Sequence, residues 1–486
     1  MGEAGEVVVE NRRKVWGAVG DRMGNPGTRG VRSGPLGRQG LLRCRLMHTE
    51  RWMDLTAKAG LIVVAETLMA LGMEAVVGRE LFVRQRRRGL DEFSKLQAIV
   101  LLLAAGGERV EDVRLLREDP ALCRLLDGGM PSPDALHDFL AAFHDERAFE
   151  TRPASGAFIP KPSAALVALA RINSEFVRRS VETERPKVAT LDLDATIIES
   201  HKREAKAHYK GGRGYQPTAV LWAEQDMVVA DEYRDGNVPA AMHTKPLAES
   251  AFSTLPDSVT ERYFRGDSAC YDVRLLRWLW KKGIAFSISA DMGKELHSEC
   301  RSPTLQWSLF EDRVDEVVAI AEVEFAPRNW PKSAPPMRYV AIRFSGKQGR
   351  LFSDGKDTKY LAVVSSRREL SGAELIRWHW QKAGTIERLH DISKNDLAAR
   401  LPPSGLFGAN AAWYRINLLT YNVLTALKRL ALPTRLRDAR PKRLRYEVFS
   451  IPAVLDGTCP PTHRTSRRIR SNPRRDHHRT HTPLVA

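Results

Sequence analysis

The spacing of apolar and polar positions changes character several times along the chain. Over residues 55–150 it is helical: Leu61, Val64, Ala65, Leu68 and Leu71 recur at intervals of three and four. A second apolar stretch runs from Leu96 to Ala104, with Leu115, Leu116 and Leu122 beyond it. Met130-Pro-Ser-Pro-Asp134 reads as a helix start, with Ser132 as N-cap and Pro133 in the first turn. Leu136, Phe139, Leu140 and Phe143 then fall on one face. From residue 187 the pattern is that of strands. Val188 to Ile198 is β-branched and apolar, and Pro217 to Trp222 and Met227 to Tyr233 read as a hairpin turning at 223–226. A helix is expected over 244–254, a short strand over 262–266, a helix over 271–282 ended by Gly283, and a strand over 284–289. Three further strands are expected at 317–325, 338–344 and 360–365, then a helix over 371–397 and another over 416–430.

The order strand-strand-strand-helix-strand-helix-strand is that of a ribonuclease-H-like α/β core. The predicted organisation is a disordered basic extension (1–50), a helical DNA-binding domain (51–150), the first part of the core (185–294), a β-rich insertion (295–370), the second part of the core (371–432) and a basic disordered tail (433–486). The helical segment fits a dimerisation or purely structural bundle as well as a DNA-binding one.

Charge sharpens this division. The formal net charge is +17. Ten Lys/Arg face five Asp/Glu in residues 1–51, and thirteen face four in 435–486. Basic ends on a nearly neutral body suit a polyanionic partner; solvated tails without a partner are the alternative. The five cysteines are scattered without a Cys-x-x-Cys pair, which argues against a zinc ribbon or a disulfide framework and fits a reducing cytoplasm. No apolar run approaches the length of a membrane span, and no membrane role is expected. His477, His478 and His481 have no acidic or thiol company and read as solvated tail.

Three carboxylates carry the candidate chemistry. Asp192 and Asp194 interrupt an apolar strand and share one of its faces. A carboxylate in such a run must be paired, protonated or bound to a cation. Asp194 is preferred because the strand emerges after it. Asp267 follows the strand Tyr-Phe-Arg-Gly and also suits a helix N-cap. Glu387 lies on the helix expected over 371–397, with His390, Asp391 and Lys394 three, four and seven residues on and Trp380 two turns before. The same spacing fits a surface helix laced with ion pairs.

Together these residues resemble the DDE transposases of bacterial insertion sequences, in the branch with a Tyr-x2-Arg-x3-Glu-x6-Lys signature. Here the signature reads Trp380, Ala383, Glu387 and Lys394. Trp380 replaces the Tyr, and Ala383 replaces the Arg, with Lys382 one position earlier. Tyr209-Lys-Gly-Gly-Arg-Gly-Tyr-Gln-Pro217, Arg234-Asp-Gly-Asn237 and Met130-Pro-Ser-Pro133 add to the resemblance. It implies that Asp194, Asp267 and Glu387 hold two Mg²⁺, with Mn²⁺ able to substitute. Water would attack the phosphate at the element end, and the freed 3′-OH would attack target DNA. Lys382 and Lys394 would contact backbone phosphate; Trp380, His390, Lys210 and Arg213 would lie near the same DNA. The implied partners are double-stranded DNA, as inverted-repeat ends and as target, and a second copy of the chain on that DNA. The implied setting is the bacterial cytoplasm, at the nucleoid when DNA is bound. The rivals are a stand-alone metal-dependent nuclease, an inactive DNA-binding remnant and a basic nucleic-acid scaffold.

Overall fold

The computed structural model describes residues 55–83, 89–126, 129–153, 155–347, 352 and 355–454, together with a two-residue ladder between Val8–Val9 and Cys44–Arg45. The rest of the predicted extension, and the tail from 455 with His477, His478 and His481, lie outside the described residues.

The chain opens with short helices: α1 (Ile62–Ala70), α2 (Met73–Glu80), α3 (Glu92–Ala105), α4 (Val113–Arg117), α5 (Pro120–Leu125) and α6 (Pro133–Ala141). The expected cap is present, since Ser132 Oγ accepts from the Ala135 amide at 3.2 Å. A helix that the periodicity reading passed over, α7 (Ala164–Val181), follows, capped in the same way by Ser163.

The strands are β1 (Val188–Ala195), β2 (Thr218–Trp222), β3 (Met227–Glu232), β4 (Glu261–Gly266), β5 (Ala285–Ser289), β6 (Ser308–Asp312), β7 (Glu316–Phe325), β8 (Met337–Gly346) and β9 (Thr358–Ser365). Helices α8 (Thr244–Thr254), α9 (Val273–Lys281) and α10 (Lys294–Cys300) lie between them. All nine strands join one sheet, ordered β3-β2-β1-β4-β5-β9-β8-β7-β6. The first three pair antiparallel; β1, β4 and β5 run parallel. The strands expected as an insertion are therefore continuous with the core. β9 pairs antiparallel with β5 and carries β8, β7 and β6 outward.

After the sheet come α11 (Gly372–Trp380), α12 (Ile386–Asn395), α13 (Phe407–Leu430) and α14 (Pro441–Leu444). The single helix expected over 371–397 is broken by a 3-10 turn at Gln381–Gly384. Thr385 holds the break. Its hydroxyl donates to Asp192 Oδ2 at 2.5 Å and lies 3.0 Å from the Lys382 carbonyl, and its backbone leaves helical geometry (φ −111°, ψ −84°). Trp380 and Glu387 thus do not share one helix face.

The helical region and the sheet share one apolar core, joined through α13. That helix is buried on nearly every side, so it needs cover from α3 and α7 as well as from the sheet. Its polar residues find partners inside. Asn422 Nδ2 donates to Asn173 Oδ1 (2.8 Å) and to the Val228 carbonyl (2.8 Å), while its Oδ1 accepts from the Val228 amide (2.7 Å). A second, smaller cluster lies under α11 on the outer strands, with Val318, Ile320, Val340 and Leu375 at its centre. The predicted tail is built into the fold as far as residue 454. Arg445 donates to the carbonyls of Leu103 and Ala104 (2.9 Å each), and Ala453–Val454 pairs with Leu55–Thr56. The reason is apolar: Leu436, Leu444 and Phe449 in this segment are buried.

Candidate active site

Strand register positions the first two carboxylates. β4 lies parallel to β1 with Gly266 opposite Leu193, so the next residues, Asp267 and Asp194, emerge side by side at the strand ends. Neighbouring strands stand about 5 Å apart, which brings the two side chains within reach of a common ligand. Gly266 is needed here. A Cβ at that position would fall 2.6 Å from Cys270 Cβ and 2.7 Å from its sulfur, closing the turn that follows Asp267. Asp267 also caps that turn, as Oδ1 accepts from the Ala269 amide at 3.1 Å. Asp194 Oδ1 accepts from the Ala195 amide at 3.0 Å.

Both carboxyls titrate above the usual carboxylate range. For Asp194 burial is the main cause, with Asp192 adding repulsion; Lys382 and the Ala195 amide oppose it. For Asp267 burial leads again, followed by the charge of Asp194, with Lys382 and the Ala269 amide opposing. Two desolvated, mutually repelling oxygen donors are a donor set that suits a hard divalent cation. Asp194, Asp267 and, from the adjoining helix, Glu387 are the residues that would hold it. As the side chains stand, no three His, Cys, Asp or Glu groups among the described residues are gathered closely enough to bind a metal.

Asp192, two residues before Asp194, behaves differently. It is fully buried, and Arg265 clamps it with two hydrogen bonds, Nε to Oδ1 at 2.6 Å and Nη2 to Oδ2 at 2.8 Å. Arg265 sits directly opposite it in the parallel register and also donates to the Trp378 carbonyl at 2.7 Å. The bond from Thr385 completes the set. Asp192 thereby ties the two strands to the start of α12 and has no free oxygen for the site.

Helix α12 brings the other predicted residues. Glu387 is exposed in its first turn and forms no hydrogen bond or ion pair among the described residues. His390 faces inward, is buried, and places Nε2 3.8 Å from Asp194 Oδ2 with no hydrogen-bond partner. Burial, with Lys394 and Lys382 nearby, pushes its pKa down to about 3, so the ring is neutral. Asp391 turns the other way, to Arg440 at 2.6 Å. Lys394 is half-buried and donates to Thr196 Oγ1 at 2.9 Å. Burial holds its pKa below the usual lysine range, and Lys210 adds to the fall. Lys382 is buried with its ammonium 3.6 Å from Asp194 Oδ2.

The remaining predicted DNA contacts are spread out. Lys210 is exposed at the tip of a hairpin formed by Lys206–Ala207 and Arg213–Tyr215. Arg213 spends its guanidinium on that hairpin, donating to the carbonyls of Ala205 (2.9 Å) and Arg203 (2.6 Å). Trp380 is part of the second apolar cluster, its ring 5.4 Å from Phe310 and under the guanidinium of Arg313.

Sequence reading missed Arg265, Thr385 and His379. Arg265 had a signal, a cation next to Phe264 near the end of a strand, in a chain whose other central strand holds a buried acid. His379 had none. It is held between Ser287 Oγ (2.8 Å) and Ser289 Oγ (3.0 Å), with its pKa lowered to about 3 by burial, Lys382 and Arg265.

The family model of the transposase DDE domain, group 1, matches residues 44–465, most of the chain. No curated protein matches it. Among solved structures, a piggyBac transposase synaptic complex with hairpin DNA aligns with 80% of this chain and 77% of its own, at 9% identity and a TM-score of 0.42.

Proposed function

The chain belongs to the DDE-domain transposases, and from that premise we propose that it binds the terminal inverted repeats of its own element, cuts there and joins the freed end to target DNA. The observation that carries this reading is the parallel register that sets Asp194 beside Asp267 at the ends of β1 and β4. The sheet order supports a ribonuclease-H-like core, with the third, second and first strands antiparallel and the fourth and fifth parallel to the first.

In this reading Asp194, Asp267 and Glu387 would hold Mg²⁺, or Mn²⁺ in its place. Divalent ions there would supply activation of water and stabilisation of the leaving 3′-oxygen of a phosphodiester. The protein's own groups do the rest. Asp192, clamped by Arg265, fixes the strand ends and, through Thr385, the start of the helix bearing Glu387. The break at 381–385 starts the helix bearing Glu387 afresh, with Glu387 exposed in its first turn. Lys394, tied to Thr196, and exposed Lys210 offer positive charge to a phosphate backbone on the same side. His390, neutral and buried, supplies an uncharged wall behind Asp194. Trp380 and Arg313 brace the outer strands against α11. Two DNA ends must meet for joining, so the working form is a dimer on DNA.

The test uses the purified chain, Mg²⁺ and a precut inverted-repeat end with a free 3′-OH. Joining of that end into plasmid DNA is expected. Nicking without joining would instead make the protein a metal-dependent nuclease. Binding without any product in Mg²⁺ or Mn²⁺ would make it an inactive DNA-binding protein.

A further inference from the structure

The site already contains one cation, and it belongs to the protein. Lys382 lies on the 3-10 turn between α11 and α12. Its side chain is only 11% exposed, and its ammonium approaches Asp194 Oδ2 at 3.6 Å. The same charge is felt by Asp267, by the buried thiol of Cys270 and by the rings of His379 and His390. Among these neighbours the two carboxylates are the negative charges, the imidazoles are neutral, and Lys382 is the cation. A buried ammonium is costly unless paired, and two adjacent carboxylates are costly without a counter-charge. Each explains the presence of the other.

We propose that the ammonium of Lys382 is the resident counter-ion of the Asp194–Asp267 pair, and that a divalent cation binds by displacing it. The inference rests on the metal-holding role proposed above for these carboxylates. The contact to Asp194 is built to be broken. At 3.6 Å it is longer than a charge-assisted hydrogen bond, whereas the clamp of Arg265 on Asp192 is bidentate at 2.6 and 2.8 Å. Lysine carries its charge on a flexible four-carbon stem. The next two residues, Ala383 and Gly384, are exposed, and nothing stands within 4 Å of a Cβ at Gly384, so the way out of the site is short. A displaced ammonium emerges where a DNA phosphate would lie. Metal and DNA then favour each other's binding, because each takes over one partner of a broken internal ion pair.

The test measures Mn²⁺ binding to the full chain, by electron paramagnetic resonance of the free ion or by calorimetry, with and without a DNA end. Lys382→Met and Lys382→Gln are expected to bind Mn²⁺ at least about fivefold more tightly than wild type without DNA, the low end of ordinary coupling. DNA should tighten Mn²⁺ binding in wild type and leave both variants unchanged. Equal or weaker binding by both variants would overturn the proposal. So would loss of folding in both, since the ammonium would then be a fixed structural ion. Asp194→Asn separates this inference from the one beneath it. Should that variant keep wild-type Mn²⁺ affinity, or should wild type bind none with DNA present, the carboxylate site itself is wrong. Should Asp194→Asn abolish binding while the Lys382 variants match wild type, only the counter-ion role falls.

Discussion

Asp192 and Asp194 occupy the same face of one strand, two residues apart, and their surroundings differ sharply. The inner region around Asp192 is closed and balanced, with a bidentate guanidinium and a threonine hydroxyl meeting its oxygens. The outer region around Asp194 is half-buried and underbalanced, with a second carboxylate beside it and one ammonium at a longer distance. The inner region uses its charges to hold β1, β4 and α12 together. The outer one keeps its charges in an uncomfortable state that a bound cation would relieve. The proposed function sits where the strand leaves the sheet, and stability is placed one step back along it.

Removing one partner of the inner pair should have the largest effect at neutral pH. Asp192→Ala leaves the Arg265 charge buried and uncompensated, and is expected to cost about 3–5 kcal/mol in denaturant unfolding. The double variant Asp192→Leu/Arg265→Met should recover most of that loss. A single-variant loss below about 1 kcal/mol would erase the distinction between the two regions, since it would fall to the level of an exposed ion pair.

Acid should reveal a second effect, one that builds up over several pH units. His379 and His390 stay neutral in the fold down to about pH 3, while the unfolded chain protonates them near the ordinary histidine value of 6.5. The unfolded state therefore binds more protons between these values. Stability falls as pH drops through that window, by about 1.4 kcal/mol per pH unit for each histidine. His390→Leu should reduce the slope in pH-dependent unfolding. An unchanged slope would mean that the ring already carries its proton in the fold.

Asp267 should move stability the other way. Its carboxyl titrates higher in the fold than in the unfolded chain. The folded form then holds the proton more tightly, so this group's contribution is present at low pH and lost as pH rises through the folded value. Asp267→Asn should therefore stabilise the metal-free chain at neutral pH by on the order of 1 kcal/mol, and the gain should shrink toward acid. A loss of stability at neutral pH would show that Lys382 balances both carboxylates fully.

Much of this arrangement could be read from the chain. Strand and helix periods located β1 to β5 and α8 within a few residues, because each buries one clear apolar face. Asp194 and Asp267 were legible because an acid in or just after an apolar strand needs a reason. What escaped was set by contacts distant in sequence. The outer strands carry an insertion-like composition, yet their pairing with β5 is made by backbone bonds that composition does not record. The helix break at Thr385 depends on a bond to Asp192, 193 residues away. Lys382 has the spacing of a surface lysine and becomes a buried ion only because that break turns it inward. The segment 433–454 is basic in sequence, but its few apolar residues are enough to dock it.

The central claim joins the strand-borne pair to the helix-borne carboxylate, and Glu387→Gln tests it most directly. The substitution removes a charge from an exposed residue with no partner among the described ones, so folding should be unaffected. In a Mg²⁺-dependent nicking assay on inverted-repeat DNA, the rate should fall by more than the ~100-fold that losing an outer-sphere partner costs a metal site. Wild-type nicking by Glu387→Gln would contradict the account.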